Sequence, residues 1–327
     1  MQEEHTIIVG GGPCGMSCAI ELQKQGHTPP LIIEKANVVN TIYHFPTHQM
    51  FFSSSEKLEI GELPFITEKQ KPVRNQALAY YRNVAKRKDL RINTFEKVIE
   101  VKKLNEMFHV KTTNSTGELT HYQAKNVIIA TGYYDQPNEM NVPGENLDKV
   151  MHYFKEAHPY FNKNVVVIGG KNSAVDATME LHKAGANITV LYRGDTYSKS
   201  IKPWILPEFD ALIRKGIVKM EFNAQVTEIT NDAVTYTVNS ETKTIKNDFV
   251  FAMTGYKPDH QFLQKIGVKI DSETGRPQFN DTTFETNIPG VYVAGVVAAG
   301  YNNNEIFIEN GRHHGELIAK SITKKEN

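Results

Sequence analysis

The chain has 327 residues, which at roughly 150 residues per domain points to two domains. Its 37 Lys and Arg are offset by 37 Asp and Glu for a formal net charge of +0, so no long-range field gathers nucleic acid or an anionic membrane surface. Two cysteines, Cys14 and Cys18, exclude a disulfide framework and a four-cysteine zinc site and favour a reducing, cytoplasmic setting.

The acidic start MQEEHTIIVGGG lacks the basic and long apolar regions of a secretion signal. No apolar run approaches the roughly 18 residues that span a bilayer. Thr6–Val9 reads as a buried strand, Gly10-Gly11-Gly12 as a break, Pro13–Lys24 as a helix stopped by Gly26, and Leu31–Glu34 as a second buried strand. Strand, glycine turn, helix and strand make a βαβ unit, which implies a parallel sheet. Ala36–Pro72 shows no period and is rich in aromatic and hydroxyl residues, the character of a binding region. A helix over Arg74–Lys88 precedes three strands of a meander (Phe95–Lys102, Met107–Thr112, Leu119–Tyr122) and a buried run at Val127–Ala130. A second βαβ unit runs through Val165–Ile168, Gly169-Gly170, a helix over Asn172–Lys183 and a strand over Ile188–Tyr192. Phe222–Val226, Val234–Val238 and Phe249–Ala252 are expected to complete a smaller sheet. Val291–Ala294 reads as the last strand, and a single helix is expected from about Asn304 to Thr323.

The two glycine turns carry the chemistry. Gly10-x-Gly12-x-x-Gly15 follows a strand and opens a helix: Gly10 permits the tight turn, Gly12 the approach of a pyrophosphate, and Gly15 close helix–strand packing. Unpaired N–H groups and the positive dipole end of the helix face the phosphates, lined by Pro13 and Cys14. Glu34 lies about 20 residues further on, where its carboxylate can accept from ribose hydroxyls, with Lys35 beside it. In the second turn Gly169, Gly170, Lys171, Asn172, Ser173 and Ala174 keep the first glycine, put lysine in the middle slot and alanine in the third. Here Arg193 stands where an acid would repel a 2′-phosphate, and arginine can bind one bidentately, so NADPH is favoured over NADH.

Cys14 and Cys18 sit four apart on one helix face with Cβ atoms about 5–6 Å apart, too far for a disulfide without deforming the helix. Cys18 reads as a small buried residue. At Cys14 the helix N-terminus lowers the thiol pKa, while neighbouring phosphates raise it. His48, His152, His158, His313 and His314 are candidates to protonate a leaving thiolate, and the choice among them stays open. Tyr133 and Tyr134 could stack near a ring system or fill the core, and Trp204 reads as packing or a lid element.

Val127-Ile128-Ile129-Ala130-Thr131-Gly132 resembles the A-T-G strand of flavoproteins with two dinucleotide-binding domains, Phe251–Tyr256 its counterpart, and Val293-Ala294-Gly295 the strand returning beneath the flavin. More narrowly, GGGPCG from Gly10, FPTHQMFFSSSEKL from Phe45, HYFKEAHPYF from His152, IGGKNSA from Ile168, IKPWILPEF from Ile201 and IFIENG from Ile306 resemble the YpdA-type bacillithiol disulfide reductases. The resemblance implies an α/β protein of two Rossmann-like three-layer domains: FAD in 1–135 and 258–327, NADPH in the inserted 136–257. It adds Thr131, Gly132 and Gly295 to the FAD residues. It also implies a small-molecule disulfide substrate, dimerisation, and a single-cysteine mechanism in which Cys14 forms a mixed disulfide that the reduced flavin resolves. The final helix is then expected to point its N-terminus at the flavin. Two departures stand out. The usual Gly-Asp of the wider pattern is Gly295-Val296, and no Cys-x-x-Cys exists. A flavin monooxygenase, a ferredoxin–NADP reductase-like electron carrier and an NADPH-sensing regulatory flavoprotein share the two turns and are the competing readings.

Overall fold

The computed structural model describes residues 1–302 and 304–326. Strand β1 (Gln2–Val9) buries Ile7, Ile8 and Val9 consecutively, as a strand covered on both faces requires. Helix α1 (Pro13–Lys24) begins at a proline and ends before Gly26, as its sequence indicates. Strand β2 (Leu31–Ile33) follows. The segment without periodicity contains a short helix α2 (Asn40–His44) and a 3₁₀ turn at Ser55–Leu58 before α3 (Arg74–Arg87). Next come β3 (Arg91–Asn93), β4 (Glu96–Leu104), β5 (Met107–Asn114) and β6 (Leu119–Ile129).

Strand β6 corrects the reading of two separate segments at Leu119–Tyr122 and Val127–Ala130. It is one strand of 11 residues with two characters. Its first part pairs antiparallel with β5 and alternates in burial; its last part pairs parallel with β1 and is buried throughout. The change of period where β5 ends and full burial begins mimics a break in the sequence.

The chain then enters a second compact unit, Pro137–Gly255, while Met1–Gln136 and Tyr256–Asn327 form the first. The second unit contains β7 (Val150–Met151), β8 (Asn164–Ile168), α4 (Asn172–Lys183), β9 (Asn187–Leu191), α5 (Leu206–Arg214), β10 (Lys219–Glu221), β11 (Ala224–Ile229), β12 (Ala233–Val238), β13 (Glu241–Lys246) and β14 (Phe249–Ala252). A parallel sheet runs β10-β9-β8-β14-β7, and β11-β12-β13 form an antiparallel one. Phe249–Ala252 therefore lies in the parallel sheet and not in the smaller one as expected. Its unbroken apolar run suits a strand covered on both sides.

The returning chain supplies α6 (His260–Ile266), β15 (Val291–Val293), a 3₁₀ turn at Gly295–Ala299, α7 (Ile308–Gly311) and α8 (His314–Glu326). The sheet of this unit runs β3-β2-β1-β6-β5-β4, with β15 parallel to the end of β6. The single helix expected from Asn304 is instead two. It starts at Ile308, because Asn310 reaches back to accept from Phe307 N–H (2.7 Å) and donate to Glu305 O (2.7 Å). It breaks at Arg312, whose carbonyl accepts from Ser17 Oγ (2.6 Å). Helix α8 then approaches α1 closely at Gly315, where a Cβ would lie 2.9 Å from the Cys18 nitrogen. Among the described residues no helix is long and apolar enough to cross a membrane.

Candidate active site

In the first unit β2, β1, β6 and β15 run parallel, and the expected residues stand at or just past their carboxyl ends, where ligands bind in open α/β sheets. Gly10 has φ +113°, and a Cβ there would lie 2.5 Å from Ala130 O, so the turn is tied to the strand that leads into Thr131 and Gly132. A Cβ on Gly15 would be 2.1 Å from Gly10 O, which locks α1 onto the turn. Gly12 differs: nothing lies within 4 Å of its Cβ direction, and it begins α1 with no side-chain cap. An open approach to an uncapped helix start is a cradle for an anion.

Glu34 is buried, and burial pushes its carboxyl above the usual range, against the pull of two backbone donors. Gly11 N–H donates to Oε2 (2.7 Å) and Ala36 N–H to Oε1 (3.0 Å). Each oxygen keeps a lone pair for a ribose hydroxyl. Lys35 does not join it: its ammonium pairs with Asp135 at 2.6 Å. The donor set therefore fits a dinucleotide, with phosphate at the helix start and ribose at the carboxylate.

Cys14 lies half-buried on α1 with its sulfur between two backbone segments of the returning chain. A Cβ on Gly295 would be 2.9 Å from its Sγ, and one on Gly311 3.0 Å. Only glycines leave room for the sulfur there. Burial pushes the Cys14 thiol up to about 12, outweighing the helix N-terminus that was expected to lower it. Cys18 is fully buried, its thiol also pushed up, and both cysteines are free. Gly295 N–H donates to His314 Nδ1 (3.1 Å), so this amide is engaged within the protein. His314 is buried, stacks on Phe284 at 4.0 Å, and has its pKa lowered to about 4 by burial first and by His313 second. His48 and His313 are exposed.

An aromatic group that the sequence did not single out as a unit borders β6. Tyr134 meets Phe45 (5.6 Å) and Tyr256 (4.6 Å), Phe45 meets Phe51 (5.9 Å), and Tyr133 meets Tyr256 (6.1 Å). The FPTHQMFF stretch thus packs beside the A-T-G strand, which only pairing across 90 residues reveals.

In the second unit Gly169 to Ala174 follow β8, and Arg193, exposed, follows β9. A Cβ on Gly169 would be 2.4 Å from Met253 O. The Tyr192 ring lies across the turn, so a Cβ on Gly170 or Gly194 would strike it at 2.4 and 2.5 Å. Lys171 and Ser173 are exposed at the helix start, and Ala174 is buried. The Asn172 side chain holds a neighbouring loop, donating to Ser200 O (2.7 Å) and accepting from Lys202 N–H (3.0 Å). His152 Nε2 is 3.5 Å from Glu145 Oε1, His158 is exposed, and Trp204 is 59% exposed with Lys202 Nζ 5.9 Å from its ring.

The pyridine nucleotide-disulphide oxidoreductase family description matches residues 7–295. The chain is 64% identical over 329 residues to the bacilliredoxin reductase Bdr of Bacillus subtilis (strain 168), spanning 100% of each. It is 63% identical to the solved bacillithiol disulfide reductase Bdr (YpdA) from Bacillus cereus, with a TM-score of 0.98 over 99% of this chain and 100% of that one. Thioredoxin reductase from T. acidophilum superposes with a TM-score of 0.78 over 100% and 99% of the two chains at 24% identity, a likeness of fold.

Proposed function

Given that the chain belongs to the pyridine nucleotide-disulphide oxidoreductase family, we propose that it is an FAD-dependent enzyme that uses NADPH to reduce a low-molecular-weight disulfide, bacillithiol disulfide. The observation that carries the reading is one chain with two glycine cradles, each at the carboxyl ends of a parallel sheet, one backed by a buried acid and the other by an arginine. The overall change, NADPH + H⁺ + RSSR → NADP⁺ + 2 RSH, moves one electron pair and breaks one S–S bond. Bound FAD would supply the relay, accepting hydride from the nicotinamide and passing the pair to the disulfide.

Gly10, Gly12, Pro13, Cys14 and Gly15 would hold the FAD pyrophosphate with backbone N–H groups, Glu34 the ribose, and Thr131, Gly132 and Gly295 the far end of the cofactor. Gly169 to Ala174 would cradle NADPH, and Arg193 would pair with its 2′-phosphate. Cys14 would form the mixed disulfide with one half of the substrate. Because burial holds this thiol protonated up to about 12, its thiolate fraction climbs tenfold per pH unit through the assay range.

The test is anaerobic. Purified yellow protein, NADPH and bacillithiol disulfide should release two thiols per NADPH, with a rate that rises from pH 7 to 10 without a plateau. In Cys14→Ser, thiol release should fall at least a hundredfold while reduction of the flavin by NADPH persists. Full thiol release by Cys14→Ser would leave Cys14 as packing against Gly295 and Gly311. A second reading, reduction of a bacilliredoxin protein disulfide, is favoured by the name of the Bacillus subtilis relative. Faster turnover with the oxidised protein than with the free small disulfide would select it.

A further inference from the structure

Three metal-competent side chains converge in the first unit at the amino end of its strands, away from the glycine turn. His5 on β1, His27 between α1 and β2, and Glu326 in the last turn of α8 each offer one ligand atom, all within 4.8 Å of one another. Glu326 Oε1 lies 2.5 Å from His5 Nε2, and Oε2 lies 3.3 Å from His27 Nδ1. The two imidazoles stack at 5.5 Å with 30° between their planes. The far nitrogens are held as well: His5 Nδ1 is 3.0 Å from Thr6 Oγ1 and His27 Nε2 is 2.7 Å from Thr323 Oγ1.

His27 is fixed from both sides: Thr323, itself tied to Gln25 Oε1 (2.6 Å) and Ala319 O (3.0 Å), holds Nε2, and Nδ1 faces the Glu326 carboxylate at 3.3 Å. A proton or a metal ion between nitrogen and oxygen satisfies that contact.

We propose that His5, His27 and Glu326 form a binding site for a divalent transition-metal ion of the zinc class, clamping the end of α8 to β1 and the α1–β2 connection. Two imidazole nitrogens and a carboxylate oxygen suit this ion, and water completes four-coordination. Tetrahedral bonds of about 2.0–2.1 Å place ligand atoms about 3.3 Å apart, so the wider separations within the 4.8 Å cluster must close while the 2.5 Å His5–Glu326 contact opens. Glu326 supplies the movement, since its side chain is 38% exposed on the last helical turn. The hydroxyls of Thr6 and Thr323 orient the two rings from outside. Since His5 and Glu326 are 321 positions apart, metal binding joins the two ends of the first unit and raises its stability.

The experiment uses the full-length flavoprotein, stripped with a chelator and titrated calorimetrically with Zn²⁺ alone, with thermal unfolding followed in parallel. A Cys14→Ser background removes the half-buried thiol as a competing ligand. One Zn²⁺ per chain should bind saturably, and Tm should climb with Zn²⁺ concentration. Glu326→Gln, on an exposed turn, and His5→Gln should each weaken binding at least tenfold and abolish the Tm response while the flavin is still reduced by NADPH as in the Cys14→Ser parent. The proposal is overturned if no stoichiometric Zn²⁺ binds, or if both variants bind it as the parent does. Either result leaves the cluster as a proton-held ion pair.

Discussion

Gly12 and Gly15 sit three residues apart and meet opposite surroundings. Any side chain at Gly15 collides with Gly10 O, whereas Gly12 has an ordinary extended backbone (φ −79°, ψ 175°) and open space where its side chain would point. Replacement at the two positions therefore separates folding from cofactor binding. Gly12→Ala should leave the urea midpoint of the apoprotein nearly unchanged, within about 0.5 kcal/mol. It should nevertheless raise the FAD dissociation constant at least tenfold, because the methyl occupies the approach of the pyrophosphate. Flavin fluorescence titration checks this, and a variant that purifies fully yellow would contradict the assignment of the cradle. The spacing G-x-G-x-x-G was legible in the sequence because each glycine answers to neighbours within a few residues or to the adjoining strand. Cys14 was legible only as a position. Its chemistry is set by Gly295 and Gly311, and their contribution is burial, which raises the pKa that the helix start alone would lower.

At the scale of elements, α8 engages the Gly295 amide through one buried histidine. His314 accepts from Gly295 N–H, which requires its neutral form, and its pKa is lowered from 6.5 to about 4. Between those two pH values the unfolded chain binds a proton that the folded one refuses. The stabilisation is thus complete above about pH 6.5 and lost as pH falls towards 4, on the order of 3 kcal/mol. His314→Asn offers an amide oxygen to the same N–H and cannot titrate, so its stability should fall less across that window. Chemical denaturation at pH 7, 5.5 and 4.5 measures the difference, and parallel losses in both proteins would refute it. Strand β6 and the split final helix illustrate what pattern alone misreads. The first changes period because its partners change along its length, and the second breaks because Ser17 captures the Arg312 carbonyl.

Across the whole molecule each compact unit has its own apolar cores. Ile8, Met16, Tyr81 and Ile318 belong to the first, together with Ile7, Phe108 and Val291; Val167, Leu181 and Phe251 belong to the second, together with Val166 and Val234. Ligands held by separate cores stabilise them separately. Calorimetry should therefore resolve two transitions in the apoprotein, FAD raising the one from the unit with Gly10–Gly15 and NADP⁺ the one from the unit with Gly169–Ala174. At a ligand concentration 100 times the dissociation constant, each gain is about 2.7 kcal/mol. A single transition raised equally by either ligand would contradict the assignment of one nucleotide to each unit.

The two βαβ units, their glycine turns and the acid after β2 were determined by the sequence alone, because strand, turn and helix start are local and their residue types follow from backbone geometry. Tertiary structure decided what the remaining residues do. Asn172 ties down a loop, Lys35 pairs with Asp135, and His314 engages the amide of Gly295. His5, His27 and Glu326 meet although they come from both ends of the chain. The physical reason is the same in each case: burial and hydrogen-bond partners are supplied by chain far away in sequence, and no local pattern encodes them.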